Sequence, residues 1–224
     1  MKLNKILVLA VLSLSFAVPV VFATSYANLH LDAVGVVREG ENVVFSGQLV
    51  DLNETVIPHR TIFIEDDTSY TRPDIILAIT TTDPDGKFLT SWKAVPKDNG
   101  TPFHFYAKFI GGKTFGYTRS ETYESDIKLY NSSTISDVVP SKTMPIWFKN
   151  ASKMWHDGQI RDVDYSYGLN NLIDYGIIKS HIQINSELKF PAWLKNDAEW
   201  FVEGKISNDE YTNALGYLLD DKLI

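Results

Sequence analysis

The sequence predicts a β-sandwich of about seven strands followed by a small all-α region made of two helix-turn-helix units. Three observations carry that expectation. Short runs of apolar–polar alternation, separated by turn residues, extend from residue 28 to about residue 130. Residues 145–178 then align without gaps to residues 191–224, a displacement of 46. Between these regions lies NSSTISDVVPSKTM, residues 131–144, whose Ser, Thr and Pro content predicts an exposed linker.

The N-terminus predicts a cleaved secretory signal over residues 1–27. Lys2 and Lys5 precede the apolar run ILVLAVLSLSFAVPVVFA, residues 6–23. Small residues suited to a signal peptidase follow, as Val21-Phe22-Ala23 or Ser25-Tyr26-Ala27. The run is near the lower length for a spanning helix and is broken by Pro19. No later segment is apolar enough to span a bilayer, so no membrane span is expected once the signal is removed. The expected location is outside the cell or at its surface.

Composition excludes several chemistries. The whole chain has a formal charge of −7, and removing the two signal lysines takes it to −9. Phosphate-backbone binding needs clustered Lys and Arg, so nucleic acid is not an expected partner. The chain has no cysteine. Thiol catalysis, thiolate metal sites and disulfides are therefore absent, and each domain must be held by burial. The 197 residues after Ala27 suffice for one or two domains.

The strands of residues 28–130 are expected in this order. Leu29, Leu31 and Ala33 alternate with His30 and Asp32; Val43, Phe45, Gly47 and Leu49 alternate with Val44, Ser46 and Gln48. Ile62 and Ile64 follow, then Ile75, Leu77 and Ile79, and then Phe88, Thr90, Trp92 and Ala94. The cleanest run is FHFYAKF at residues 103–109, and Tyr123, Ser125, Ile127 and Leu129 close the series. Alternate side chains point to opposite faces of a strand, so each run offers one apolar face to a core. Turns are expected at Arg38-Glu39-Gly40, Asp51-Leu52-Asn53, Asp83-Pro84-Asp85-Gly86, Asp98-Asn99-Gly100 and Gly111-Gly112. The stretches FSGQLVDLNETVIPHRTIFIED, TTDPDGKF and FYAKFIGG together resemble the immunoglobulin-like β-sandwich domains of prokaryotic surface proteins. The disulfide of antibody domains is missing, and Trp92 is a candidate core residue by alternation alone.

The second region begins with a repeat. Identical pairs include Pro145/Pro191, Trp147/Trp193, Lys149/Lys195, Gly158/Gly204, Tyr165/Tyr211, Leu169/Leu215 and Leu172/Leu218. Trp147, Phe148, Ala151, Met154 and Trp155 fall on one helical face. Gly158 and Gly204 suit left-handed caps. Ser207 and Glu210 form a capping box, with Ile206 and Tyr211 placed as a hydrophobic staple. In the first copy Arg161 stands at the Ser207 position, so that cap is expected to be weaker unless Asp162 takes over. The second helix of each copy should bury Tyr165, Leu169, Leu172 and Ile173, or Tyr211, Leu215, Leu218 and Leu219. Residues 179–190 form the connector. The pattern PxW, then GxI, then Tyr and paired leucines resembles the short tryptophan-containing repeats that follow β-sandwich domains in secreted archaeal proteins. That resemblance implies an extracellular location and no established activity.

No catalytic motif and no metal site is expected. GGKT at residues 111–114 lacks the earlier glycine of a phosphate loop, because Ala107 stands there. Asp83 and Asp85 are too few for calcium, which takes six to eight oxygens. EGKISNDEY echoes the second half of a calcium loop. The first-half positions, however, hold Glu199, Phe201 and Glu203 in one copy and Lys153, Trp155 and Asp157 in the other. The five histidines lack ligand spacing. Glycosylation sequons occur at Asn53, Asn99, Asn131 and Asn150. Trp147, Trp155, Trp193 and Trp200 form either a small core or an aromatic docking face. The expected function is non-catalytic binding, adhesion or envelope assembly, with an extracellular protein or glycan as partner and no cofactor. Two alternatives stand beside it: a carbohydrate-binding or accessory module of an extracellular enzyme system, and a hydrolase whose carboxylates meet only on folding.

Overall fold

The computed structural model describes residues 26–32, 34, 37–68, 73–95, 102–112, 115–120, 123–125, 127–128, 144–185 and 188–222. Residues 1–25, which hold most of the expected signal, and residues 131–143 of the expected linker lie outside the described residues.

Two antiparallel sheets stack face to face. The strands are β1 (Ala27–Leu31), β2 (Val37–Arg38), β3 (Asn42–Asp51), β4 (Thr61–Asp66), β5 (Ile75–Thr81), β6 (Lys87–Lys93), β7 (Phe103–Phe109), β8 (Thr118–Arg119), β9 (Tyr123–Ser125) and β10 (Ile127–Lys128). The first sheet has the order β1-β3-β6; the second has the order β5-β4-β7-β8, and β9 also pairs with β7. β10 and β2 form a short parallel ribbon. Ala27, placed at the end of the expected signal, opens β1 and pairs with Asp51.

The alternating residues fill the core between the sheets. Leu29, Leu31, Val43, Phe45, Leu49 and Phe88 come from the first sheet; Ile62, Ile64, Phe103, Phe105 and Phe109 come from the second. Phe45 meets Phe105 edge-on at 5.2 Å, and Trp92 packs at 5.1 Å from Phe103. Trp92 is thus a partly buried core residue, as its alternation predicts. At the DPDG turn the Asp83 carboxylate accepts the backbone N–H groups of Asp85 and Lys87, both at 2.9 Å. Its Oδ1 holds a hairpin turn.

One strand departs from simple alternation. Ile75, Leu77 and Ile79 were expected on one face. The pairing of β4 with β5 shifts between Ile64 and Glu65, so Ile64 faces Ala78 while Glu65 faces Ile76. Leu77 is the extra residue of a β-bulge. Leu77 therefore enters the sandwich core, whereas Ile76 and Ile79 point outward with Phe63 into a second core. Every residue of β4 is buried, because the second sheet is covered on both faces.

The cover is helical. α1 (Ile146–His156), α2 (Asp162–Asp174), α3 (Ala192–Glu203) and α4 (Asn208–Asp220) enclose the second core. α3 starts 46 residues after α1, and α4 starts 46 residues after α2. Pro145 and Pro191 occupy the N-cap positions of α1 and α3, where no intrahelical N–H is required. Gly158 and Gly204 have φ of +74° and +75°, which a side chain would strain. Ser207 Oγ accepts the Glu210 N–H at 3.2 Å and Glu210 Oε2 accepts the Ser207 N–H at 2.7 Å, completing the expected capping box. At the start of α2 Asp164, not Asp162, takes over the cap, accepting the Arg161 backbone N–H at 3.0 Å. Asp162 instead accepts the indole N–H of Trp155 at 2.8 Å and ties α1 to α2.

The two helix pairs hold each other by reciprocal contacts. Trp155 stacks on Tyr165 at 4.2 Å, and Phe201 stacks on Tyr211 at 4.6 Å. Lys149 of α1 lies over Phe201 of α3 at 5.5 Å, and Lys195 of α3 lies over Trp155 of α1 at 5.2 Å. The hydroxyls of Tyr165 and Tyr211 meet at 2.8 Å. Burial holds both phenols above their ordinary range, so they stay protonated. The connector joins this core as well. Phe190 stands edge-on to Trp155 at 5.2 Å, and the Asn170 amide pairs with both backbone groups of Ile184.

Trp155→Ala is expected to destabilise the chain by about 3–5 kcal/mol in urea unfolding, the usual loss for a buried large aromatic. Glu210 gives a pH signature. Its carboxyl is lowered from 4.5 by the Ser207 backbone N–H. The unfolded chain therefore takes up that proton first on acidification. The stabilisation is present above the ordinary Glu range and is lost as pH falls through the lowered value. Glu210→Gln should flatten the fall of melting temperature below about pH 4.5.

Candidate docking surface

The four candidate tryptophans divide into two kinds. Trp155 is fully buried and Trp147 is 5 % exposed, whereas Trp193 is 47 % and Trp200 45 % exposed. A docking face built on all four is therefore corrected to Trp193 and Trp200. The physical reason is cover: Trp155 lies inside the joint between the helix pairs, and Trp147 lies against α2. A Cβ at Gly168 would stand 3.1 Å from the Trp147 ring, so glycine makes room for that approach. Ala214 occupies the position 46 residues on from Gly168, and the corresponding tryptophan, Trp193, is exposed.

The first helix pair docks on the outer face of the second sheet through one stripe of α2. Thr61 donates to Asp164 Oδ2 at 2.8 Å. Tyr167 meets Phe63 edge-on at 5.0 Å and donates to Glu65 Oε1 at 2.8 Å. Asn171 Nδ2 donates to the Asp74 carbonyl at 2.8 Å, and Tyr175 donates to the Pro73 carbonyl at 2.5 Å. Asp164, Tyr167, Gly168 and Asn171 fall at helical spacing, and Tyr175 caps the end.

Folding brings two carboxylates together at this seam. Glu65 is fully buried. It is bridged by Lys108 at 3.1 Å and contacted by the hydroxyls of Tyr106 and Tyr167. Tyr106 also reaches Asp74 Oδ2 at 2.6 Å. Burial, reinforced by the Glu65 charge, holds Tyr106 and Tyr167 above the ordinary phenol range, so both remain donors. Lys108 further lies over the Tyr167 ring at 4.7 Å. The cluster fastens helices to sheet, with Glu65 committed to donors from both layers. Sequence reasoning missed it, because its members lie far apart in the chain; the charged Lys108 and Glu65 inside apolar runs were the available signal.

In the second helix pair the equivalent stripe is open. Glu210, Asn213, Ala214, Tyr217 and Asp221 stand 46 residues after Asp164, Tyr167, Gly168, Asn171 and Tyr175, and all are exposed. Tyr217 is 63 % exposed. Elsewhere, an open groove of about 500 Å³ is lined by Asn28, His30, Gln48, Glu54, Thr118 and Arg119, among others. Its Arg119 pairs with Asp67 at 3.0 Å and covers the Tyr106 ring at 3.8 Å. Among the described residues no three His, Asp or Glu side chains gather as a metal group, and no helix is long and apolar enough to cross a membrane. Asn53 lies exposed in a turn and Asn150 lies exposed on α1; Asn99 and Asn131 lie outside the described residues.

Lys108→Met is expected to cost about 3–5 kcal/mol in chemical denaturation, because it strands a buried carboxylate. Adding Glu65→Leu should recover much of that loss.

No family model matches the chain, and no curated protein matches it.

Proposed function

We propose that this is a secreted or cell-surface protein that acts by binding, in adhesion or envelope assembly, without catalysis. The observation that carries the reading is the open stripe of α4. It occupies the positions that α2 uses to dock on a sheet, and it presents Tyr217 to solvent, while Trp193 of α3 is exposed as well. A chain that buries one such face and leaves its duplicate uncovered is built to meet something else.

Three finer readings support this proposal. The helix pairs are two copies of one unit: the spacing of 46 is common to both helices. The Trp155–Tyr165 and Phe201–Tyr211 stacks are counterparts, and Lys149 and Lys195 reach across reciprocally. The sandwich is of immunoglobulin-like type. With the short strands set aside, β1-β3-β6 corresponds to A-B-E and β5-β4-β7-β9 to C′-C-F-G. The signal is cleaved after Ala23 rather than Ala27, which keeps β1 whole. The resemblance to secreted archaeal repeat proteins agrees with the first two.

Carbohydrate is the second reading, favoured by Trp193 and Trp200 seven residues apart on α3 with Asp197 between them. Burial raises the Asp197 carboxyl above its ordinary range. Aromatic faces stack on sugar rings, and a carboxyl accepts their hydroxyls.

The test is fractionation of the full chain, expressed with a C-terminal tag in a secreting host. The chain is expected in the envelope or medium with Thr24 as its first residue. Cytoplasmic retention of the unprocessed chain would overturn the reading. On a glycan array, signal lost in Trp193→Ala/Trp200→Ala would move the assignment to carbohydrate.

A further inference from the structure

We propose that the open α4 stripe docks on the outer face of the first sheet of a second copy of this chain, joining molecules head to tail. The inference rests on the surface-binding reading above and names the partner.

The chain contains its own example of the contact. Outward residues of the second sheet, Phe63, Ile76 and Ile79, are covered by the first helix pair, with polar groups pairing around them. The first sheet has a corresponding outer face that no described helix covers. On β6, Lys87, Leu89, Ser91 and Lys93 point outward and are exposed; on β3, Val44 does the same. Leu89 is 67 % and Val44 58 % exposed. The register pairs Val44 with Ser91 and Ser46 with Leu89, so Val44 and Leu89 are diagonal neighbours. The result is an apolar pair with a lysine toward each end of the strand.

The α4 stripe is its complement. Ala214 and Tyr217 form the apolar middle, and Glu210 and Asp221 the acidic ends. Lys87 and Lys93 are six residues apart on a strand, roughly 20 Å. Glu210 and Asp221 are eleven apart on a helix, roughly 17 Å. Sign, spacing and the central apolar contact therefore agree.

The two faces cannot meet within one molecule. The helices lie on the outer side of the second sheet, and the free face lies on the far side of the first. Different patches on each partner make the contact heterologous, and a heterologous contact that does not close yields an open chain. A patch of this size is in the weak class, suited to crowded copies on a surface.

Sedimentation velocity of the processed chain, from about 5 to about 500 µM, tests this. The sedimentation coefficient is expected to rise with concentration and to fall with added salt. Lys87→Glu/Lys93→Glu makes the sheet face acidic, and Asn213→Lys/Asp221→Lys makes the helix face basic; each variant alone should stay monomeric. An equimolar mixture should associate again, because the unaltered α4 stripe of the first variant then meets the unaltered sheet face of the second. Leu89→Ser and Tyr217→Ser, each expected to abolish association, serve if a charge variant misfolds. A monomeric wild type at every concentration, variants that associate like wild type, or a mixture that stays monomeric would each overturn the proposal. Failure here with secretion intact removes the partner alone; cytoplasmic retention removes the surface reading itself.

Discussion

The second sheet has two apolar faces, and the rest of the structure answers that fact. A sheet of this kind cannot leave either side in water. One side is met by the first sheet, the other by helices, and β4 is buried along its whole length in consequence. The Leu77 bulge is what lets one strand serve both sides: it sends Leu77 inward and leaves Ile76 and Ile79 outward. The buried Glu65 then acts as an orienting peg. Apolar contact alone leaves a helix pair able to slide, whereas a carboxylate that needs Lys108 and Tyr167 has one acceptable position.

Much of the architecture was legible because its signals are local. Alternation in FHFYAKF marks the inward Phe103, Phe105 and Phe109, and the spacing of Ser207 and Glu210 marks a helix start. The helix pairs were legible through identity at fixed displacement, which needs no knowledge of contacts. The seam was not. Glu65 meets Tyr167, 102 residues away, and nothing near either position announces the other. Ile75, Leu77 and Ile79 misled for a related reason, since a bulge is a property of the pair of strands rather than of one.

The candidate surface was half legible. All four tryptophans sit at helix-compatible positions, and their spacing does not tell a ring that closes a core from one that leaves it. Burial separates Trp147 from Trp193 although the surrounding residues are nearly the same. What differs is the neighbour: the first unit has a sheet beside it, and among the described residues the second has none. Exposure at Trp193 is thus set by tertiary placement.

The reciprocal stacks, with Tyr165 and Tyr211 touching at their hydroxyls, make the helical layer a self-complementary joint. Each half supplies to the other what it receives. Neither pair can shift without breaking the contact of its lysine with the other's ring. A change at either phenol is therefore felt on both sides of the joint at once.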